Sequence, residues 1–78
     1  MEKVRTRRRL PPPNVRRLIR QQAGVSLRDV AEVIGVTQPT VTRWELGLRS
    51  PERGPHLDAY LALLDRLMSE VRHGAEDA

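Results

Sequence analysis

The stretch SLRDVAEVIGVTQPTVTRWELG, residues 26–47, decides the fold. Ser26 and Asp29 stand three apart ahead of an apolar run, a variant of the capping box that opens a helix. Leu27, Val30, Ala31 and Ile34 then recur at helical spacing and define one inward face. Gly35 stops that helix, because glycine alone takes the left-handed conformation cheaply and so turns the chain. Val36 plugs the turn and Thr37 is placed to cap a third helix, expected from about Gln38 to Leu46. Two short helices around a glycine turn make a helix-turn-helix. Such a turn alone is common in small bundles, but the register here is restrictive. Ala31, four residues before Gly35, keeps the helix crossing close, and Val41 and Trp44 return to the core beside Val30 and Ile34. The opposite edge of the third helix then holds Gln38, Pro39, Thr40, Thr42 and Arg43. An amide, hydroxyls, a guanidinium and a small apolar ring are groups that can read a major groove.

Outward from this core, Asn14 to about Ala23 reads as a first amphipathic helix, with Val15, Leu18 and Ile19 apolar, Arg16, Arg17 and Arg20 between them, and Gly24 as its stop. Pro13 or Pro12 suits its first turn. Leu48 to Pro55 holds two prolines and Gly54 and reads as a loop. A fourth helix is predicted from Pro55 or His56 to about Val71, and its apolar residues from Leu57 to Val71 sweep an arc of roughly 160°, wider than one core contact needs. The domain expected over residues 11–72 is flanked by a basic arm (1–10) too polar to fold without DNA and an acidic, fraying tail (73–78).

The 78 residues carry 14 basic and 10 acidic groups, enough for one small domain. Residues 1–28 hold nine basic groups against one acid, and the balance turns negative toward the C-terminus. The front end is the natural face for a polyanion. The absence of cysteine excludes disulfides, thiolate metal sites and a cysteine nucleophile. No apolar run is long enough to span a membrane, and the basic stretch Lys3 to Arg9 leads into prolines rather than the apolar region of a secretory leader. His56 and His73 lie 17 residues apart outside any metal spacing, and no phosphate-binding glycine loop occurs. No catalytic residue, metal or cofactor is expected.

Residues 12–67 resemble the phage-repressor and Cro type of helix-turn-helix domain, the XRE family. The resemblance rests on SLRDVAEVIGVTQPTVTRWELGLRSP, most specifically on GVTQPTVTRWE followed by Gly47 and Pro51. The stretch VSLRDVAEVIGVTQPTV is also similar to the headpiece of LacI-type repressors. That headpiece lacks a preceding basic helix, and the Glu45, Gly47, Pro51 ending favours the Cro type. The resemblance implies an all-α, lambda-repressor-like domain of four to five helices with a flexible basic N-terminal arm. It implies that Thr37 caps the recognition helix, that Gln38 contacts a base and that Thr40 and Arg43 face the groove. It gives Glu45 a structural role. Gln38 suits adenine N6 and N7, and Arg43 suits guanine O6 and N7 or a phosphate. Pro39 departs from the pattern: it lacks an N–H, so a Thr37 cap must use the Thr40 amide, and it biases Gln38 away from the α region, which leaves Gln38 as the alternative cap. Its ring would suit a thymine methyl.

Backbone or minor-groove contacts are expected from Arg5, Arg7, Arg8 and Arg9 of the arm, from Arg16, Arg17 and Arg20, from Ser26, Arg28, Thr37 and Thr42, and from Arg49 and Arg53. On the fourth helix, Tyr60, Leu63 and Leu67 are the edge expected to be left over for a two-fold dimer on a palindromic operator. A merely apolar surface or a different protein partner would also account for that edge. The function expected is a sequence-specific, double-stranded-DNA-binding transcriptional regulator in the bacterial cytoplasm, associated with the nucleoid. A repressor of phage or mobile-element type is the leading form, controlled by abundance or a partner. The alternative is an antitoxin or adaptor whose main ligand is a protein.

Overall fold

The computed structural model describes residues 9–77; the expectations for Arg5, Arg7 and Arg8 lie outside this range. Four helices follow in order among the described residues: α1 (Pro13–Gln22), α2 (Leu27–Ile34), α3 (Gln38–Leu46) and α4 (Pro55–Asp77). Pro13 opens α1 with no side-chain cap, and the Pro12 carbonyl instead accepts from Val15 N and Arg16 N, both at 3.0 Å. The capping box of α2 is complete: Ser26 Oγ accepts from Asp29 N at 3.0 Å, and Ser26 N donates to Asp29 Oδ2 at 3.3 Å. At Gly35 the chain is left-handed (φ 92°), and the Ala31 carbonyl accepts from both Gly35 N (2.8 Å) and Val36 N (3.0 Å). This paired bond closes the corner that redirects the chain into α3.

α2 packs on α3, α1 crosses both α3 and α4, and α2 also meets α4. Their shared core is Ile19, Val30, Ala31, Ile34, Val41, Trp44, Tyr60, Leu64 and Leu67. Val41 is fully buried, and the Trp44 and Tyr60 rings lie 4.9 Å apart at a tilt of 36°. A tilted aromatic pair of this kind adds about 0.5–1.5 kcal/mol to its area burial.

Two arginines of α1 point into this core rather than toward a ligand. Arg16 is 5% exposed; its Nε donates to Pro11 O at 2.6 Å and one terminal nitrogen donates to Trp44 O at 2.9 Å. Arg20 makes a two-pronged pair with Glu45 at 2.6 and 3.0 Å and donates to Val25 O at 3.0 Å. The expectation that Arg16 and Arg20 contact DNA phosphates is therefore corrected: Arg16 is buried, Arg20 is half-buried, and the hydrogen bonds of both guanidinium groups go to partners inside the fold. Both lie on the stripe 16, 19, 20, 23, which is the face α1 turns inward.

The leftover edge of α4 also differs from expectation. Tyr60 and Leu67 are buried in the core, at 1% and 5% exposure, and Leu63 is half-buried against it. The three are core residues, not a free dimer edge. The stripe is as wide as its sequence implied, but its other side is left over: Leu57 and Leu61 are half-buried outside the core cluster and Met68 is exposed. α4 also continues to Asp77, through the segment expected to be a fraying tail. Gly74 alone is a weak stop, and no proline follows it.

Pro51 is buried, Gly47 is left-handed (φ 78°), and a methyl at Gly47 would meet Pro13 Cγ at 3.3 Å. The Glu45, Gly47, Pro51 ending is thus structural throughout. Glu45 holds Arg20, Gly47 makes the turn against Pro13, and Pro51 anchors the loop.

Two measurements check this packing. Glu45→Ala leaves the half-buried Arg20 guanidinium without its partner and should cost about 2–3 kcal/mol in urea unfolding, below the range of a fully buried pair, whereas replacing both residues by apolar side chains of similar volume should cost much less. Tyr60 has a buried hydroxyl with no well-formed hydrogen bond. Burial raises its pKa above the ordinary value of 10.0, while the neighbouring Arg16 charge opposes that shift. A raised phenol pKa favours the neutral form when folded, so this part of the stability is present below pH about 10 and is lost as pH rises through the folded pKa. Tyr60→Phe should be neutral or stabilising at pH 7 and should move alkaline unfolding to higher pH.

Candidate nucleic-acid interface

The corner at Gly35 leaves one edge of α3 open to solvent. Gln38, Pro39 and Arg43 are exposed, and Thr40 and Thr42 are half-buried. The opposite side of the helix, Val41, Trp44 and Glu45, is buried. Trp44 is a core residue and offers no stacking surface.

Thr37 is the cap of α3, which decides between the two cap arrangements the sequence left open. Its Oγ1 accepts from Thr40 N at 3.4 Å, the first amide available after the missing N–H of Pro39. Gln38 is the first helical residue, so its side chain leaves the helix at its N-terminal end. There the free N–H groups and the macrodipole favour an electron-rich partner.

The hydroxyls on this edge are engaged locally. Thr37 Oγ1 and Thr40 Oγ1 hydrogen-bond each other at 2.8 Å, and Thr42 Oγ1 donates to the Gln38 carbonyl at 3.2 Å. That leaves Gln38 and Arg43 as the exposed side chains of the edge with no hydrogen bond to the protein among the described residues. Pro39 sits beside them as an apolar ring.

Other exposed cations lie on the helices and loops around the corner. Arg43, Arg49 and Arg53 line one cleft between α3 and the loop that follows, together with Thr40, Ser50, Glu52 and His56. Arg17 is exposed on α1 and shares a second depression with Thr42 and Leu46. Arg28 is exposed at the start of α2, with Glu32 only loosely paired to it at 4.0 Å. Arg9 is exposed, just ahead of the prolines. Ser26 spends its side-chain oxygen and its backbone N–H on the capping box, so only its hydroxyl proton remains for an anion. The structure thus brings Gln38, Pro39 and Arg43 together with Arg49 and Arg53 and buries Arg16 away from them; Arg20, held by Glu45, lines the depression that Arg17 shares with Thr42.

The inward turn of Arg16 and Arg20 has a signal in the sequence. The two fall with Ile19 and Ala23 on an i, i+3, i+4, i+7 stripe, and Glu45 is the acid on the core side of α3. Among the described residues no group of histidine, aspartate and glutamate is arranged to hold a metal ion, and no helix is long and apolar enough to cross a membrane.

Comparison with known families agrees with this geometry. Residues 17–54 match the model of a family described as helix-turn-helix; the matched span begins within α1, contains α2 and α3 whole and ends at Gly54, the residue before α4. No curated protein and no solved structure matches the chain. The fold is all-α and lambda-repressor-like, and over residues 17–54, just under half of the chain, it is similar to the helix-turn-helix family.

Proposed function

We propose that this chain binds specific double-stranded DNA sequences and represses transcription by occupying its site. The observation that carries the reading is the open α3 edge: one free amide and one free guanidinium, Gln38 and Arg43, beside the arginines of the following loop. Gln38 would pair with adenine N6 and N7, and Arg43 with guanine O6 and N7. Arg17, Arg28, Arg49 and Arg53 would hold phosphates, and the basic arm, which includes Arg9, would add contacts to the backbone or a narrow minor groove. Ser26, Thr37, Thr40 and Thr42 then support the edge rather than read bases.

The biological setting proposed is a Cro-like or immunity regulator of a phage or mobile element, acting on the nucleoid of a bacterial cell. A homodimer on a palindromic operator is proposed as well. The apolar side chains left over, Met68 and Leu18 with Leu57 and Leu61, give such a dimer a surface to cover. The same surface favours the second reading, an antitoxin or adaptor that binds another protein there.

Three outcomes separate these readings. With about six phosphate contacts, log K should fall against log salt with a slope near −5, following the rule of about −0.9 per contact. Arg17→Ala should make the slope shallower by about 0.9, while Arg16→Ala should lower thermal stability and leave the slope unchanged. Gln38→Ala should cost about 1–3 kcal/mol and relax selectivity at one base position. If DNA binding is indifferent to salt and sequence while Met68→Asp abolishes capture of a protein partner, the adaptor reading replaces this one.

A further inference from the structure

Gln38, Pro39, Thr42 and Arg43 enclose a shallow hollow on the open edge of α3, and its wall is mostly apolar. Nothing from the protein fills it. Thr42 contributes little polarity, because its hydroxyl is turned back onto the Gln38 carbonyl at 3.2 Å. Pro39 contributes none through its backbone, having no N–H, and its exposed ring is held at a fixed φ in the first turn of the helix.

We propose that this hollow reads the 5-methyl group of a pyrimidine, with thymine as its ordinary occupant. The inference rests on the DNA-reading function above and adds a third element to the two polar readers. In the major groove the methyl group is the one apolar feature of a base-pair edge, and only thymine carries it among the unmodified bases. With Gln38 and Arg43 each gripping a neighbouring purine, the hollow between them would face the edge of the base pair from which that methyl projects. Its Pro39 and Thr42 walls can donate or accept little, so they read the methyl while Gln38 and Arg43 at its margins read polar edges. 5-Methylcytosine presents the same group at the same place. The hollow therefore accepts thymine or 5-methylcytosine and disfavours uracil or cytosine.

The test begins with selection of binding sites from random duplexes by the full chain. Each thymine of the selected site is then replaced singly by deoxyuridine, which removes the methyl and leaves every base-pair hydrogen bond. One thymine per recognised half-site should lose about three- to fivefold in affinity, the worth of one buried methyl group. The salt slope should not change, since no phosphate contact is lost. At that position 5-methylcytosine should bind better than cytosine by a similar factor. Pro39→Ala should weaken binding and make thymine and uracil nearly equivalent. Its folding is checked by circular dichroism, and the uracil scan on the unaltered chain does not depend on it. Uracil tolerated at every thymine of an enriched site, or a full methyl effect surviving in folded Pro39→Ala, overturns the proposal and leaves sequence-specific binding standing. Selection that enriches no sequence removes the DNA-reading function itself.

Discussion

Everything in this domain depends on how α1 is fastened to the far end of α3. Two guanidinium groups do it. Arg20 grips the Glu45 carboxylate with two hydrogen bonds, and Arg16 bridges the carbonyls of Pro11 and Trp44. The Trp44 carbonyl lies at the C-terminal end of α3, where it carries partial negative charge and otherwise accepts only from the capping Gly47 N at 3.3 Å, so a buried cation there is well matched. The arrangement fixes the back of the recognition helix to the first helix and to the proline segment before it. A small core gains orientation from these bonds as well as cohesion, because each one specifies a single geometry. The front of α3 is left with no comparable tether, and the groups that could read bases are found there.

The corner between α2 and α3 was legible in the sequence because its causes are local. A serine three residues before an aspartate, a glycine after four turn-spaced apolar residues and a threonine before the next run each act within a few positions. The start of α4 behind Pro51 and Gly54 was legible for the same reason. The structural role of Glu45 was legible through the family resemblance, and its partner only through the stripe that Arg16 and Arg20 share with Ile19 and Ala23.

The errors over Arg16, Arg20 and the α4 stripe have one cause. Whether Arg16 and Arg20 face water or core depends on an acid and a carbonyl of α3 that are 25 and 28 residues away, and an arginine-rich helix in a basic protein reads most simply as a solvated face. The side of α4 that is covered likewise depends on where α1 and α2 arrive. The width of the apolar stripe could be counted, but its free margin could not: Tyr60 and Leu67 went to the core, and Met68 stayed outside. The end of α4 was missed because polarity was taken as the end of order, whereas alanine, glutamate and arginine all sustain a helix once it is nucleated.

The threonine pairing on α3 also bears on the entropy of recognition. Thr37 and Thr40 are bonded to each other and Thr42 to its own helix, so these rotamers are already fixed before any partner arrives. Pro39 has almost no side-chain freedom to lose. Ordering on contact therefore falls mainly on two long side chains, Gln38 and Arg43. A rigid edge with two adjustable fingers forfeits little affinity to immobilisation, and it has few alternative conformations with which to accommodate a wrong sequence.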